Sequence, residues 1–263
     1  MNDSALTLLA PLQEIVNRAP VFILVLVRVS GLVVAAPVLG SAVVPIKVRA
    51  LAALVLAAAV FPCVPAQAVA PDSLAGLAVG VGSELLIGIT MGFALSLLWM
   101  GMEIGADLVG YQMGIGLAEL VDPNSQIETT MLSALFTWVA TLLFVLMNGP
   151  ALLVRALAQT FLTVPLLGAQ IGPPVLDLLT VVATNAFVLG FRIAAPALTA
   201  IFLTTLALGF VSRTMPQLNI LAAGFPIRIV LGLALMAGAF GATGWLFEDS
   251  LTTLLEQLGR VFL

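Results

Sequence analysis

The sequence predicts an all-α integral membrane protein, built as helical hairpins from about six hydrophobic segments. Two observations carry that prediction. Of the 263 residues, 62% are apolar and 8% are charged, against roughly 25% charged in soluble domains. Proline, glycine and turn residues then cut the apolar sequence into runs comparable to a bilayer crossing. The expected organisation is a single membrane domain over residues 1–263. It comprises an N-terminal amphipathic helix (1–19), hydrophobic hairpins (20–247) and a C-terminal amphipathic helix (248–263).

Each element has its own signal. Ala5, Leu8, Leu9, Leu12, Ile15 and Val16 recur at helical spacing, which predicts an amphipathic helix ending near Pro20. The same stretch lacks the basic start of a signal peptide, because Asp3 and Glu14 are accompanied by Arg18 alone. Pro20 and Pro37 bracket 16 residues with Arg28 in the middle. As a helix these span about 24 Å, short of the roughly 30 Å hydrocarbon layer. The run from Pro45 to Phe61 is similar in length, with Pro45 suited to a first helical turn and Pro62 to a stop. Pro62, Pro65 and Pro71 then mark a loop that reaches Ser73.

Residues 72–122 hold no proline but ten of the 23 glycines. Small residues four apart (Gly88 and Gly92, Gly101 and Gly105, Gly110 and Gly114) let helices touch, so a long helix or a tight hairpin with close backbones is expected. Glycine is also simply commoner in membrane helices, which is the plainer reading. Asp122-Pro123-Asn124 reads as a turn, and Ser125 with Glu128 as a capping box. That starts a helix near Gln126, which Asn148-Gly149-Pro150 stops after Met147. Its length of about 33 Å makes it the cleanest spanning candidate. A helical piece around Arg155, a Pro/Gly-rich stretch over 164–174 and an apolar run over 175–210, interrupted by Arg192 and Pro196, follow. Residues 213–228 read as a polar connection, and residues 229–247 as a charge-free run. In the tail, Leu251, Leu254, Leu255, Leu258 and Phe262 share one face against Glu248, Asp249 and Glu256. An acidic face is repelled by anionic headgroups, so a protein groove suits it better than the membrane surface.

Composition excludes much chemistry. There is no histidine and one cysteine, Cys63, so an internal disulfide, a histidine triad and a Cys/His metal cluster lack raw material. A Ser/Lys dyad would need the only lysine, Lys47, which lies between Pro45 and Arg49 in a polar helix junction. A net charge of -4 lacks the basic stripe that nucleic acid requires. No cofactor or metal is implied, and a conduit, transporter or structural subunit fits better than an enzyme.

The charges do not alternate as the positive-inside rule expects. Lys47 and Arg49 favour a cytoplasmic first connection, yet the stretch with Glu103, Asp107, Glu119, Asp122 and Glu128, which an up-and-down count puts on the same side, holds no cation. Arg28, Glu84, Glu103, Asp107 and Arg192 stand in apolar surroundings, where a charge at mid-bilayer costs about 3 kcal/mol. Each therefore needs a partner, a cavity or another subunit. Glu103 and Asp107 share a helical face, so they call for a nearby cation or one of them keeps its proton. Inter-helix or inter-subunit pairing, with Arg213 and Arg228 included, is preferred here to a proton or ion relay.

Gly110-Tyr111-Gln112-Met113-Gly114-Ile115-Gly116 leads into Asp122-Pro123-Asn124-Ser125. It is a glycine-flanked apolar segment with neither the Lys-Ser/Thr nor the preceding strand of a phosphate loop. Here the sequence resembles the R-type export-gate protein of bacterial flagellar type III secretion, the FliR family, which is related to the T-type subunit of virulence injectisomes. Arg28 with Pro37, Val44-Pro45 with Lys47 and Arg49, Asn148-Gly149, and Met215-Pro216-Gln217-Leu218-Asn219-Ile220 followed by Gly224-Phe225-Pro226 extend the resemblance across residues 20–247. Pro150 departs from the pattern, since relatives often carry a polar residue there.

The resemblance implies a subunit that joins P-type and Q-type gate subunits in a helical spiral of hairpins. Such an assembly lies in the inner membrane at the flagellar basal body, lifted largely out of the bilayer plane. It surrounds the path of unfolded export substrates and is contacted by the U-type switch protein. By the same carry-over, Gly110, Gln112, Met113, Gly114, Ile115, Gly116 and Leu117 form a plug that seals the channel. A T-type injectisome subunit is the nearest alternative. A secondary transporter or ion channel using Glu84, Glu103, Asp107 and Arg192 is the rival from another class. Transporters of that kind repeat their halves, whereas here only residues 72–122 are glycine-rich and proline-free.

Overall fold

The computed structural model describes residues 3–41, 43–65, 74–115, 130–167, 173–215 and 220–262. Within them the chain is all-α, with no strand. The helices are α1 (Asp3–Ala35), α2 (Ile46–Val60), α3 (Leu74–Met113), α4 (Met131–Leu146), α5 (Gly149–Thr163), α6 (Pro173–Thr214) and α7 (Ile220–Phe262). A 3-10 turn, Phe61–Cys63, follows α2. Five stretches are long and apolar enough to cross a membrane, and the bent pair α4–α5 makes six if it counts as one. Stretches of this kind mark an integral membrane protein.

Several expected boundaries move. The helix expected to end near Pro20 runs on to Ala35 as α1. A proline removes one hydrogen bond, whereas continuing the helix buries Leu24, Val25, Val29 and Leu32. The C-terminal helix expected to start at Glu248 is the end of α7. Phe247, Leu251, Leu254 and Leu258 keep one buried stripe going past the point where charged residues enter the opposite face. The polar connection expected over 213–228 shrinks, because α6 reaches Thr214 and α7 begins at Ile220 with Pro226 inside it. The helix expected over 126–147 starts only at Met131 and has 16 residues. Its N-cap is Thr130, whose hydroxyl accepts from the Ser133 amide at 3.1 Å. The expected cap at Ser125 and Glu128, the turn at 122–124 and most of the loop over 62–73 lie outside the described residues.

The chain divides into two compact units: Met1–Ser96, Asn148–Thr180 and Leu254–Leu263 form one, and Leu97–Met147 with Val181–Thr253 form the other. In the first unit, α1 and α3 meet at glycines. A Cβ on Gly31 would lie 2.6 Å from the Leu85 carbonyl, and one on Gly92 would lie 2.7 Å from the Leu32 carbonyl. Real Cβ atoms do not approach that closely, so the small residues set the spacing of the helices. α2 packs beside α1, with Phe22 and Phe61 edge to face at 5.4 Å. Arg49 ties down the connection between them by donating to the Ser41 carbonyl at 2.6 Å and the Val44 carbonyl at 3.0 Å.

In the second unit the same device joins α3 to α6, where a Cβ on Gly101 would lie 2.6 Å from the Ala186 carbonyl and one on Gly105 2.7 Å from the Gly190 carbonyl. α4 completes the packing through aromatic rings. Trp99 of α3 lies edge to face on Phe144 and on Phe247 of α7, and Phe136 stacks on Phe240 at 5.6 Å. The third glycine pair behaves differently: Gly110 faces the Thr130 side chain and Gly114 faces the Phe225 ring, so neither sits at a backbone crossing.

Candidate functional site

The glycine-flanked segment starts in the last turn of α3 and leaves the helix after Met113. The Gly114 amide donates to the Tyr111 carbonyl at 3.0 Å and the Ile115 amide to the Gly110 carbonyl at 3.1 Å. This pair of bonds is a Schellman cap, which requires a left-handed residue after the helix. Gly114 supplies it at φ +85°, where a residue with a side chain would be penalised by about 1–2 kcal/mol. Among the expected plug residues, Gln112 is exposed and Ile115 partly exposed, whereas Met113 is fully buried. Met113 packs against Gly232 of α7. Gly116 and Leu117 lie outside the described residues.

Glu103 and Asp107, one turn apart on α3, receive no cation; among the described residues none lies within ion-pair distance of either. A nearby cation or a retained proton was expected; within this chain, hydroxyls contact both carboxyls. Thr137 of α4 donates to Glu103 Oε1 at 2.7 Å, and Thr130 donates to Asp107 Oδ1 at 2.7 Å. Trp99, another turn back, donates its indole N–H to Thr141 at 3.1 Å. A ladder of threonines on α4 thus faces a ladder of polar side chains on α3.

Arg28 and Glu84 are a pair. Both are fully buried, with Nε and Oε2 2.6 Å apart. Arg28 Nη1 donates to the Thr160 hydroxyl at 3.1 Å, and Nη2 to the Val164 carbonyl at 3.2 Å. Its guanidinium also lies over the Phe161 ring, 4.2 Å from the centroid. The second oxygen of Glu84 accepts from the Leu167 amide at 3.1 Å. Leu167 has φ +68°, unusual for a side-chain-bearing residue, and its side chain fills the notch at Gly80. The ion pair therefore joins α1 and α3 and also fixes the chain leaving α5.

The remaining expected charges are dispersed. Arg192 is exposed on α6 and, with Asn185, Asp249, Ser250 and Thr253, lines a cavity of about 170 Å³. Arg213 is exposed at the end of α6. Arg228 is partly buried, and its Nε has no acceptor among the described residues. Among the described residues no group of three or more acidic or thiol side chains is placed to hold a metal ion. Sequence reasoning missed Thr130, Thr137, Thr160, Phe161 and Leu167. The threonines had a signal: Thr130 and Thr137 are seven apart, two helical turns, as an apolar helix facing Glu103 and Asp107 would place its donors. Leu167 had none, because its conformation is imposed by partners 83 residues away.

Comparison with known proteins adds a family. The family described as bacterial export proteins, family 1, matches residues 19–254. The flagellar biosynthetic protein FliR of Escherichia coli (strain K12) is 34% identical over 176 residues, 67% of each chain. That of Pectobacterium carotovorum subsp. carotovorum is 29% identical over 172 residues, 65% of this chain and 66% of the relative. That of Bacillus subtilis (strain 168) is 26% identical over 156 residues, 58% of this chain and 60% of the relative. The chain aligns with about two thirds or less of the length of these relatives.

Proposed function

The chain belongs to the bacterial export proteins, family 1, and from that premise we propose that it is a subunit of the flagellar protein export apparatus. It acts in the inner membrane at the flagellar basal body as part of a type III export gate, and flagellum assembly depends on it. P-type and Q-type subunits complete the gate, the U-type switch protein contacts it, and unfolded flagellar proteins pass through. The chain contributes no chemistry of its own. It shapes the passage and closes it with Gly110 to Leu117, which run from the last turn of α3 past its end.

The observation that carries this reading is the family match over residues 19–254, which takes in both the glycine-flanked segment and the late Gly224-Phe225-Pro226 motif. Two structural features support it. α3 ends in a glycine cap that redirects the chain at the start of that segment. Glu84, Glu103 and Asp107 each have a hydrogen-bond partner within the fold, as the carboxyls of a scaffold need. A hydrophobic constriction needs no charge, because it closes by bulk and by dewetting.

Deleting Gly110 to Leu120 in a gate co-expressed with P-type and Q-type subunits tests the reading. The assembled complex, reconstituted into vesicles, is expected to leak potassium ions and a small dye. Unchanged tightness in a fully assembled complex would remove the sealing role.

A further inference from the structure

The geometry points to a socket on α7 that fixes the root of the gate segment, with Phe225 and Gly232 as its two contacts. This rests on the reading of residues 110–117 as the gate, and it makes the late Gly224-Phe225-Pro226 motif a positioning element.

A helix C-terminus ordinarily frays, because its last carbonyls lack intrahelical partners. The Schellman bonds at Gly110 and Tyr111 satisfy two of those carbonyls and set the turn at Gly114. They do not by themselves hold that turn against the rest of the protein. Phe225 and Gly232 do so. They are seven residues apart, two turns of α7, and so present to one face. Gly232 leaves the notch that Met113 fills: a Cβ there would lie 2.7 Å from Met113 Cγ and 3.3 Å from Ile201 Cδ1 of α6. Phe225 covers the turn itself: a Cβ on Gly114 would lie 2.9 Å from Phe225 Cδ1. Gly224 beside it faces Leu208 of α6, whose Cδ1 a Cβ would meet at an ordinary 3.4 Å.

Bulk is matched in both contacts, a large side chain against a glycine, and the direction reverses between them. Met113 of α3 enters α7 at Gly232, and Phe225 of α7 covers α3 at Gly114. Such reciprocal packing fixes position along the helix as well as distance, because a shift of either helix brings a side chain against backbone. Phe225 is a positioning residue: it acts on the passage only through the segment whose root it covers.

The test uses the complete gate, co-purified with P-type and Q-type subunits and reconstituted into vesicles loaded with potassium chloride and a small dye. Leak is normalised to the amount of assembled complex, so that poorer assembly does not count as opening. Phe225→Ala empties the socket without straining the backbone. It is expected to raise leak per complex about tenfold by freeing a closed arrangement held in a two-state balance. Phe225→Tyr, which keeps the ring, restores tightness. Gly114→Ala acts at the other side of the contact and is expected to leak as well. If Phe225→Ala fails to assemble, Phe225→Leu and Gly114→Ala decide the matter. The inference is overturned if the variants that assemble are as tight as the unaltered gate. A leaking deletion of Gly110 to Leu120 together with tight Phe225 and Gly114 variants would refute the socket alone. A tight deletion would refute the gate reading on which the socket rests.

Discussion

Glu84→Gln is the sharpest perturbation of this chain, because it changes one atom type and one charge inside a fully buried network. The substituted side chain can still accept from the Leu167 amide through its remaining oxygen, so the left-handed turn keeps its tether. What is lost is the counter-charge of Arg28, which is buried with its Nε 2.6 Å from the carboxylate. Removing one partner of a buried pair destabilises by about 3–5 kcal/mol, since the other charge stays uncompensated. For a chain of this size each kcal/mol lowers the melting temperature by roughly 2–4 °C, which puts the expected loss at about 6–20 °C. The assay heats the detergent-solubilised gate complex in steps and follows the surviving complex by size-exclusion chromatography. Arg28→Met together with Glu84→Gln removes the stranded charge and leaves the Val164 carbonyl and the Thr160 hydroxyl without their donor, neutral acceptors whose loss costs less than a stranded buried charge. The double variant should therefore be more stable than Glu84→Gln alone, which no sum of independent losses allows. A single variant within about 2 °C of the unaltered complex, or a double variant no better than the single, would refute the reasoning.

Three further substitutions probe the scaffold in the same assay. Gly105→Ala drives a Cβ to 2.7 Å from the Gly190 carbonyl, a backbone atom that cannot swing away, and is expected to cost about 1–3 kcal/mol; an unchanged melting profile would mean that α3 and α6 are not held at that spacing. Thr130→Val removes both the cap of α4 and the hydroxyl donor to Asp107, with an expected loss of about 1–2 kcal/mol, and Thr130→Ser should recover most of it. Asn148 stands at φ 57°, so Asn148→Gly is expected to be neutral whereas Asn148→Val should lose at least about 1 kcal/mol; equal behaviour of the two would deny the left-handed turn.

The sequence was most legible where one residue type has one physical consequence. The glycine pairs at 88/92 and 101/105 announced close helix contacts, and both occur. Of the stripe at 251, 254, 255, 258 and 262, Leu251, Leu254 and Leu258 are buried and Leu255 is half-buried, while the Phe262 side chain lies outside what is described. Asn148-Gly149 announced a helix end, and α4 stops just before it with Asn148 left-handed. Proline misled, because its cost is local and a long apolar helix can carry it. Pro20, Pro196 and Pro226 sit inside helices that continue through them. Glu103 and Asp107 were read by charge alone, as needing a nearby cation or a retained proton, and the hydroxyls of Thr130 and Thr137 that contact them carry no charge to read. The ion pair of Arg28 with Glu84 spans 56 residues and its anchor at Leu167 another 83. No periodicity encodes such distances, and only packing reveals them.

Helix length decides between a lipid-bound bundle and a protein-bound subunit. α3, α6 and α7 have 40, 42 and 43 residues, which at 1.5 Å per residue is about 60–65 Å. To lie within a hydrocarbon layer of roughly 30 Å such a helix would tilt by about 60°, well beyond the roughly 0–40° range of membrane helices. At ordinary tilts about half of each helix stands outside the hydrocarbon. Those helices are predominantly apolar, and an 18-residue apolar stretch within Gly224–Val261 is only 17% buried within the chain. Val79 of α3 is 74% exposed, Phe210 of α6 74% and Trp245 of α7 63%. Apolar side chains in water along half of a helix about 60 Å long would form a patch far larger than the few hundred Å² a soluble surface tolerates. Lipid cannot cover what lies beyond its own thickness, so other protein must. The same helices that are too long for the bilayer are therefore the ones that call for neighbouring subunits.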